Sequence, residues 1–277
     1  MILIDGQPID QLPADERALL YGESLFETVL FAGQRAPLWR RHCQRLKLGC
    51  RQLGWPAPDT DRLLAHCHRL IGEEDCDSQN DDRPVVIRIA LTGGSGGQGY
   101  FPPPTRRCRQ VLIRRPWPPT IIEQRRHGLR LATSPVPLAT GSAFAGLKHG
   151  NRLEQTMAAA LCRQAGLDEA VMLSADGFVV EAISANLVAV IDGRVVTPDT
   201  DACGVDGVGL GWLSDACDEP VDRVRLKPPA LAGAEELVVV NSVAGVRPVV
   251  ELDGRRMAIG RRCRDWQSLW QNSLRAP

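Results

Sequence analysis

Gly146-Leu147-Lys148-His149-Gly150-Asn151-Arg152-Leu153-Glu154-Gln155 is the stretch on which the reading of this chain turns. A glycine-punctuated loop runs here into a helical pattern over 152–165, with Leu153, Met157, Ala160, Leu161 and Gln164 defining its faces. The loop carries one of only three lysines, the others being Lys47 and Lys227. Arginine serves ion pairs well but forms no imine with an aldehyde, whereas a desolvated lysine amine does. Lys148 is therefore a candidate anchor for a carbonyl cofactor. The plainer reading is an exposed loop lysine ahead of a helix start, where the macrodipole mildly disfavours a cation.

Outward from this stretch, the chain divides into two halves. Upstream, Ile2-Leu3-Ile4 opens a short hairpin, 15–21 is a connector, 25–31 alternates as a strand, and 35–38 follows the Ala32-Gly33-Gln34 turn. Leu46, Cys50 and Leu53 mark a helix over 39–53, and Leu63, Leu64, Cys67 and Leu70 a second over 60–71. An acidic, polar loop spans 73–83, and strands are expected at 85–91 and 110–114. Pro116, Pro118 and Pro119 then suggest a semi-rigid linker. Downstream, strands are expected at 129–133, 170–173, 178–183, 187–191, 221–226 and 237–240, with helices ending near Cys217 and spanning 261–274. Strands outnumber helices and many join as hairpins, which favours a mixed α/β (α+β) architecture over a doubly wound parallel sheet. The expected division is a small N-terminal α/β domain over 1–115, a linker over 116–128, and a larger C-terminal α/β domain over 129–277 carrying the lysine.

The bulk properties exclude several classes. Formal net charge is zero, against a general nucleic-acid or membrane-surface binder. No apolar run approaches the ~20 residues of a membrane span, and no basic-then-apolar leader opens the chain. The nine cysteines are scattered without Cys-x-x-Cys pairs or zinc-ligand spacing, so free thiols in the cytoplasm and no metal are expected.

Two glycine motifs tempt and fail. Gly94-Ser95-Gly96-Gly97-Gln98-Gly99 matches a dinucleotide fingerprint, and Gly93-Gly94-Ser95-Gly96-Gly97 a nucleophile elbow. Both need a helix to start at the loop, and Tyr100-Phe101-Pro102-Pro103-Pro104 cannot start one. A loop over a site remains as a reading. Glu181, among the apolar residues of 178–183, wants a cationic partner, either a protonated ring nitrogen or an arginine. Arg45 could fork onto a phosphate or form a surface ion pair. The 204–207 segment, at a helix start, and Asn241-Ser242, at a strand end, could offer donors to an anion. Together these supply an imine former, a carboxylate and anion-binding donors, which is the set that pyridoxal 5'-phosphate requires.

The same residues, in the order His-x-x-Arg-Leu, Lys-His-x-Asn-Arg-Leu-Glu-Gln, Glu-x-x-x-x-Asn-Leu, Gly-Val-x-Gly and Asn-Ser, resemble the fold type IV pyridoxal phosphate enzymes. These include branched-chain and D-amino-acid aminotransferases. The block Lys148 to Gln155 is most similar to the aminodeoxychorismate lyases of that group. The resemblance implies a two-domain cytoplasmic homodimer and a lyase of folate biosynthesis yielding 4-aminobenzoate and pyruvate. The alternative is an aminotransferase on the same fold. It implies Lys148 as the Schiff-base lysine and Glu181 as partner of the pyridine nitrogen. Arg45, Val205, Asp206, Asn241 and Ser242 would hold the phosphate, Asn186 would face the site, and Thr28, Tyr100 and Arg152 would lie near the substrate. Where the lyases carry two arginines in the glycine loop, this chain has Gly93 and Gln98.

Overall fold

A computed structural model describes residues 1–72 and 84–275. The acidic loop expected at 73–83 lies outside the described residues. The chain is mixed α/β and divides into two compact units, residues 1–117 with 148–151, and residues 118–147 with 152–277.

The first unit is built on a four-stranded antiparallel sheet in the order β1-β4-β3-β2, from β1 (Ile2–Ile4), β2 (Ser24–Phe31), β3 (Val85–Thr92) and β4 (Arg109–Pro116). Helices α1 (Arg17–Tyr21), α2 (Trp39–Gln52) and α3 (Thr60–Gly72) complete it. The alternation of β2 decides which face is core. Leu25, Glu27 and Val29 point inward, and Leu25 and Val29 join Leu46, Cys50, Leu63, Cys67 and Leu70 of α2 and α3 in one cluster. Ser24, Phe26 and Thr28 point to the other face and are only partly buried. Segment 148–150 pairs with the free edge of β2: Phe26 N–H donates to the Lys148 carbonyl (2.9 Å) and Gly150 N–H to the Ser24 carbonyl (2.8 Å). Gly150 brings this segment close, since a Cβ would lie 2.2 Å from Ser24 Oγ and displace that hydroxyl.

The second unit holds a nine-stranded sheet. Its order is β10-β9-β8-β11-β12-β5-β6-β7, with β13 beside β12. The strands are β5 (Leu129–Thr133), β6 (Glu169–Leu173), β7 (Val179–Ala182), β8 (Asn186–Ile191), β9 (Arg194–Pro198), β10 (Val221–Val224), β11 (Glu236–Asn241), β12 (Gly245–Leu252) and β13 (Arg255–Arg256). Val179 N–H donates to the Leu226 carbonyl (2.9 Å), so the sheet curls toward a barrel. Inward-facing Leu129, Leu131, Val171, Leu187, Ala189, Leu237, Val239 and Val249 fill its interior. The helices are α4 (Thr120–His127), α5 (Leu153–Gln164), α6 (Val208–Ala216), α7 (Pro228–Ala232) and α8 (Arg261–Arg275). Trp212 of α6 meets Trp270 of α8 edge-on, with ring centroids 4.8 Å apart.

Four expectations need correction. The proposed linker over 116–128 is largely α4, an ordered helix whose Ile121 is buried; the prolines precede its first turn and do not extend the chain. Lys148 does not belong to the C-terminal unit, because residues 148–151 are strand-paired into the first. The connector over 15–21 contains α1, and after the Ala32-Gly33-Gln34 turn only an Ala32–Arg35 bridge forms in place of a returning 35–38 segment.

Candidate active site

Opposite Phe26 on the edge of β2, Lys148 projects onto the same face of the sheet. Its Nζ lies 4.6 Å from the Phe26 ring centroid. The cross-strand partner of Thr28 is Arg88 on β3, and the Arg88 guanidinium carbon sits 4.0 Å from the same ring centroid. Lys148, Thr28, Phe26 and Arg88 therefore form one cluster, an amine and a guanidinium about an aromatic ring beside a hydroxyl. Neither Phe26 nor Arg88 is among the residues singled out from the sequence. A lone arginine in Val-Val-Ile-Arg-Ile-Ala-Leu was the available signal.

On the core side of β2, Glu27 is 1% exposed and receives Arg45 of α2 through Nε (2.7 Å) and Nη2 (2.6 Å). His42 Nδ1 lies 2.6 Å from the second carboxylate oxygen. Burial alone would raise the Glu27 pKa; the Arg45 fork and His42 outweigh it and hold the group at about 2. Arg45 is thus no surface cation. Its guanidinium is oriented by a buried carboxylate, as a fixed anion-binding group requires.

The glycine loop is wrapped around Arg17. This side chain is 3% exposed and donates to the carbonyls of Gly96 (3.3 Å), Gly99 (3.1 Å) and Tyr100 (3.1 Å), while its Nε meets Glu23 (2.5 Å). Ser95 is no nucleophile in a strand–turn–helix; its hydroxyl faces buried Glu16 (3.4 Å). Tyr100 stands 84% exposed at the end of the loop, tilted against Tyr21. A Cβ on Gly93 would lie 2.8 Å from the Glu23 carboxyl carbon and 3.1 Å from Arg106 Nη1. Arg106 occupies the space a larger residue at 93 would need, and it is bound to Glu23.

In the second unit, Glu181 on β7 is 6% exposed, and its Oε2 accepts the Val205 amide (3.0 Å). Asn186 on β8 donates to the Val205 carbonyl (2.9 Å), and its Oδ1 fills the space a Cβ on Gly207 would take (1.7 Å). The 204–207 loop is therefore braced from below by both side chains. The Val205 amide serves Glu181, and the Asp206 carboxylate pairs with Arg223 (2.6 Å) at the surface. Further along, the first amides of α6, those of Val208 and Gly209, are ones that a helix leaves without intrahelical partners. A Cβ on Gly209 would sit 2.9 Å from Ser242 N, so glycine lets this helix start approach the Asn241-Ser242 turn. Asn241 itself orders that turn, its Oδ1 accepting from Val243 (3.0 Å) and Ala244 (2.7 Å). Arg152, ahead of α5, donates to the Leu147 carbonyl (2.6 Å).

Among the described residues no His, Cys, Asp and Glu group could hold a metal ion, and no helix is long and apolar enough to cross a membrane.

Comparisons with known proteins agree with this chemistry. An aminodeoxychorismate lyase from Vibrio harveyi is 27% identical over 252 residues, covering 90% of each chain. A branched-chain-amino-acid aminotransferase from Salmonella typhimurium is 26% identical over 261 residues, 88% of this chain and 81% of that one. The crystal structure of 4-amino-4-deoxychorismate lyase from Pseudomonas aeruginosa superposes with a TM-score of 0.88 at 34% identity, covering 98% of both chains. The pattern of the amino-transferase class IV family matches residues 24–252. That match runs from the start of β2 to the end of β12, through Lys148 and Glu181 alike, and the chain belongs to the class IV aminotransferase family, whose enzymes use pyridoxal 5'-phosphate.

Proposed function

We propose that this chain is a pyridoxal phosphate-dependent lyase converting 4-amino-4-deoxychorismate to 4-aminobenzoate and pyruvate. The observation that carries the reading is the cluster on β2, where Lys148 and Arg88 flank Phe26 at 4.6 and 4.0 Å beside Thr28. It offers an amine for proton transfer, a hydroxyl and a cation for a carboxylate-bearing substrate. The likeness to lyases of this activity over nearly the whole chain supports it.

The residues present fit the cofactor. Lys148 Nζ is the amine to condense with its aldehyde. Glu181, buried with one oxygen on the Val205 amide, is the carboxylate for the ring nitrogen. Arg45, aimed by Glu27, is assigned to the phosphate with Ser242 and the amides of Val208 and Gly209. When bound, pyridoxal phosphate supplies an electron sink conjugated to the amine-bearing carbon of the substrate. Lys148 Nζ takes the proton from that carbon. The bond to the enolpyruvyl oxygen then breaks, and this oxygen receives a proton from Lys148 or from a water held by Thr28. The ring becomes aromatic, and enolpyruvate becomes pyruvate. Arg88 holds one substrate carboxylate, a role that Gly93 and Gln98 cannot fill, with Tyr100 and Arg152 as further contacts. The same reading carries a homodimer working in the cytoplasm.

The test is to supply aminodeoxychorismate and measure 4-aminobenzoate and pyruvate in equal amounts, with Lys148→Ala losing both products and the visible absorbance of bound cofactor. Conversion to the pyridoxamine spectrum by branched-chain amino acids, D-alanine or L-glutamate, without 4-aminobenzoate, would place the chain with the aminotransferases instead.

A further inference from the structure

A closed ring of polar groups lies behind the Asn241-Ser242 turn. Glu169 on β6 is 5% exposed, and its Oε1 accepts the Ser184 hydroxyl. Ser184 sits in the β7–β8 connection, between Glu181 and Asn186. Its carbonyl accepts Asn241 Nδ2 (3.2 Å). Asn241 Oδ1 gathers the Val243 and Ala244 amides (3.0 and 2.7 Å). The Ala244 carbonyl accepts Arg125 Nε of α4 (2.7 Å). The neighbouring Gln124 Oε1 accepts Arg247 Nη1 of β12 (3.1 Å), and Arg247 Nη2 returns to Glu169 Oε1 at 3.8 Å.

This arrangement is a poor way to gain stability. A buried ion pair roughly offsets its own desolvation, and apolar residues of similar volume do as well or better. Here Glu169 Oε2 and Arg247 Nε are buried without hydrogen-bond partners. Burial pushes the Glu169 carboxyl above its usual range, opposed by Arg247 and Ser184, and pushes Arg125 down to about 10. What the ring does is restrict geometry. It ties the turn that follows β11 to the connection that separates Glu181 from Asn186, through a single side chain.

We propose that Glu169 is a positioning residue for the cofactor phosphate, acting through Ser184 to fix the Asn241-Ser242 turn. The proposal rests on the assignment of that turn to the phosphate. Its prediction concerns the phosphate alone: loosening the turn weakens the hold on pyridoxal phosphate and leaves pyridoxal, which lacks the phosphate, unaffected.

The experiment titrates the cofactor-stripped full chain with pyridoxal phosphate and with pyridoxal, following visible absorbance, for the wild type, Ser184→Ala, Ser184→Thr and Glu169→Gln. Ser184→Ala removes one hydroxyl from an exposed residue of the β7–β8 connection, and its thermal unfolding beside the wild type checks that the fold is kept. Expected is about a 10-fold loss for pyridoxal phosphate, the value of one hydrogen bond in a network, with pyridoxal affinity unchanged. Ser184→Thr, which keeps the hydroxyl, restores binding. Glu169→Gln, which removes the charge facing Arg247, shows the same selective loss. Equal weakening of both ligands, or no weakening of either, overturns the proposal. A wild type that shows no preference for pyridoxal phosphate over pyridoxal would instead overturn the assignment of the turn, and the proposal with it.

Discussion

Glu27→Gln tests the charge arrangement beneath the site. The Glu27 carboxyl is held at about 2 against an ordinary 4.5. At about 1.4 kcal/mol per unit, that difference corresponds to roughly 3–4 kcal/mol of stabilisation when the group is ionised. Glu27 is 1% exposed and Arg45 14%, so solvent screening takes little from this figure. The sign follows from the direction of the shift. A depressed folded-state pKa gives stability that is present above the unfolded value near 4.5 and is lost as pH falls through about 2. The variant should therefore be less stable than the wild type by roughly 3–4 kcal/mol at pH 7, and by more if the uncompensated Arg45 charge adds its own penalty. That penalty does not depend on Glu27 ionisation, so the diagnostic quantity is the change in the gap with pH. At pH 3 the titrating part falls to roughly 1–2 kcal/mol, a narrowing of about 2 kcal/mol. Urea unfolding of both proteins at pH 7, 5, 4 and 3 measures it, with a midpoint difference of about 1–2 M at pH 7. Other titrating groups are common to both proteins and cancel in the difference. A gap that stays constant from pH 7 to pH 3, or a variant as stable as the wild type at pH 7, would refute the reasoning. Because Glu27 aims Arg45, the variant should also bind pyridoxal phosphate more weakly at pH 7.

Three further outcomes follow from the same geometry. Glu181→Gln keeps an oxygen for the Val205 amide but loses the charge; the cofactor should stay bound while turnover falls on the order of 100-fold in a steady-state assay. Arg88→Met keeps contact with Phe26 and removes the cation; KM for the dicarboxylate substrate should rise about 10- to 100-fold with a smaller change in kcat. Arg17→Met strips the donors from the carbonyls of Gly96, Gly99 and Tyr100, and hydrogen exchange at the paired Gln98 and Phe101 amides should accelerate while Lys148 and its absorbance are retained.

What was legible in the sequence was what one local pattern decides. Helical periodicity locates α2, α3 and α5 to within a residue or two, alternation locates β2, and a short apolar run locates β3. Lys148 was legible because lysine is scarce and chemically distinct. β12 was not, because Arg247 and Pro248 interrupt the apolar run of Val246, Val249 and Val250, although Pro248 takes its place opposite Val238 in the middle of the sheet. The partner of the Val205 amide is not legible in the sequence, which marks 204–207 only as a glycine-rich helix start. Only the tertiary position of Glu181 shows that it takes the Val205 amide. The same limit applies to buried charge. Glu181 stands out in the sequence as a carboxylate among apolar strand residues, yet Glu27 in Leu25-Phe26-Glu27-Thr28-Val29 satisfies the same criterion, and its partners His42 and Arg45 lie one helical turn apart in the next helix. A carboxylate inside an alternating strand and two basic residues three apart on the next helix state a contact jointly that neither states alone. Glu169 lies beyond that rule, because its circuit passes through Ser184, Asn241, Ala244, Arg125, Gln124 and Arg247, and half of those links are backbone carbonyls and amides that carry no residue identity. A site residue that touches the ligand leaves a trace in residue type; one that works through the backbone leaves its trace only in the fold.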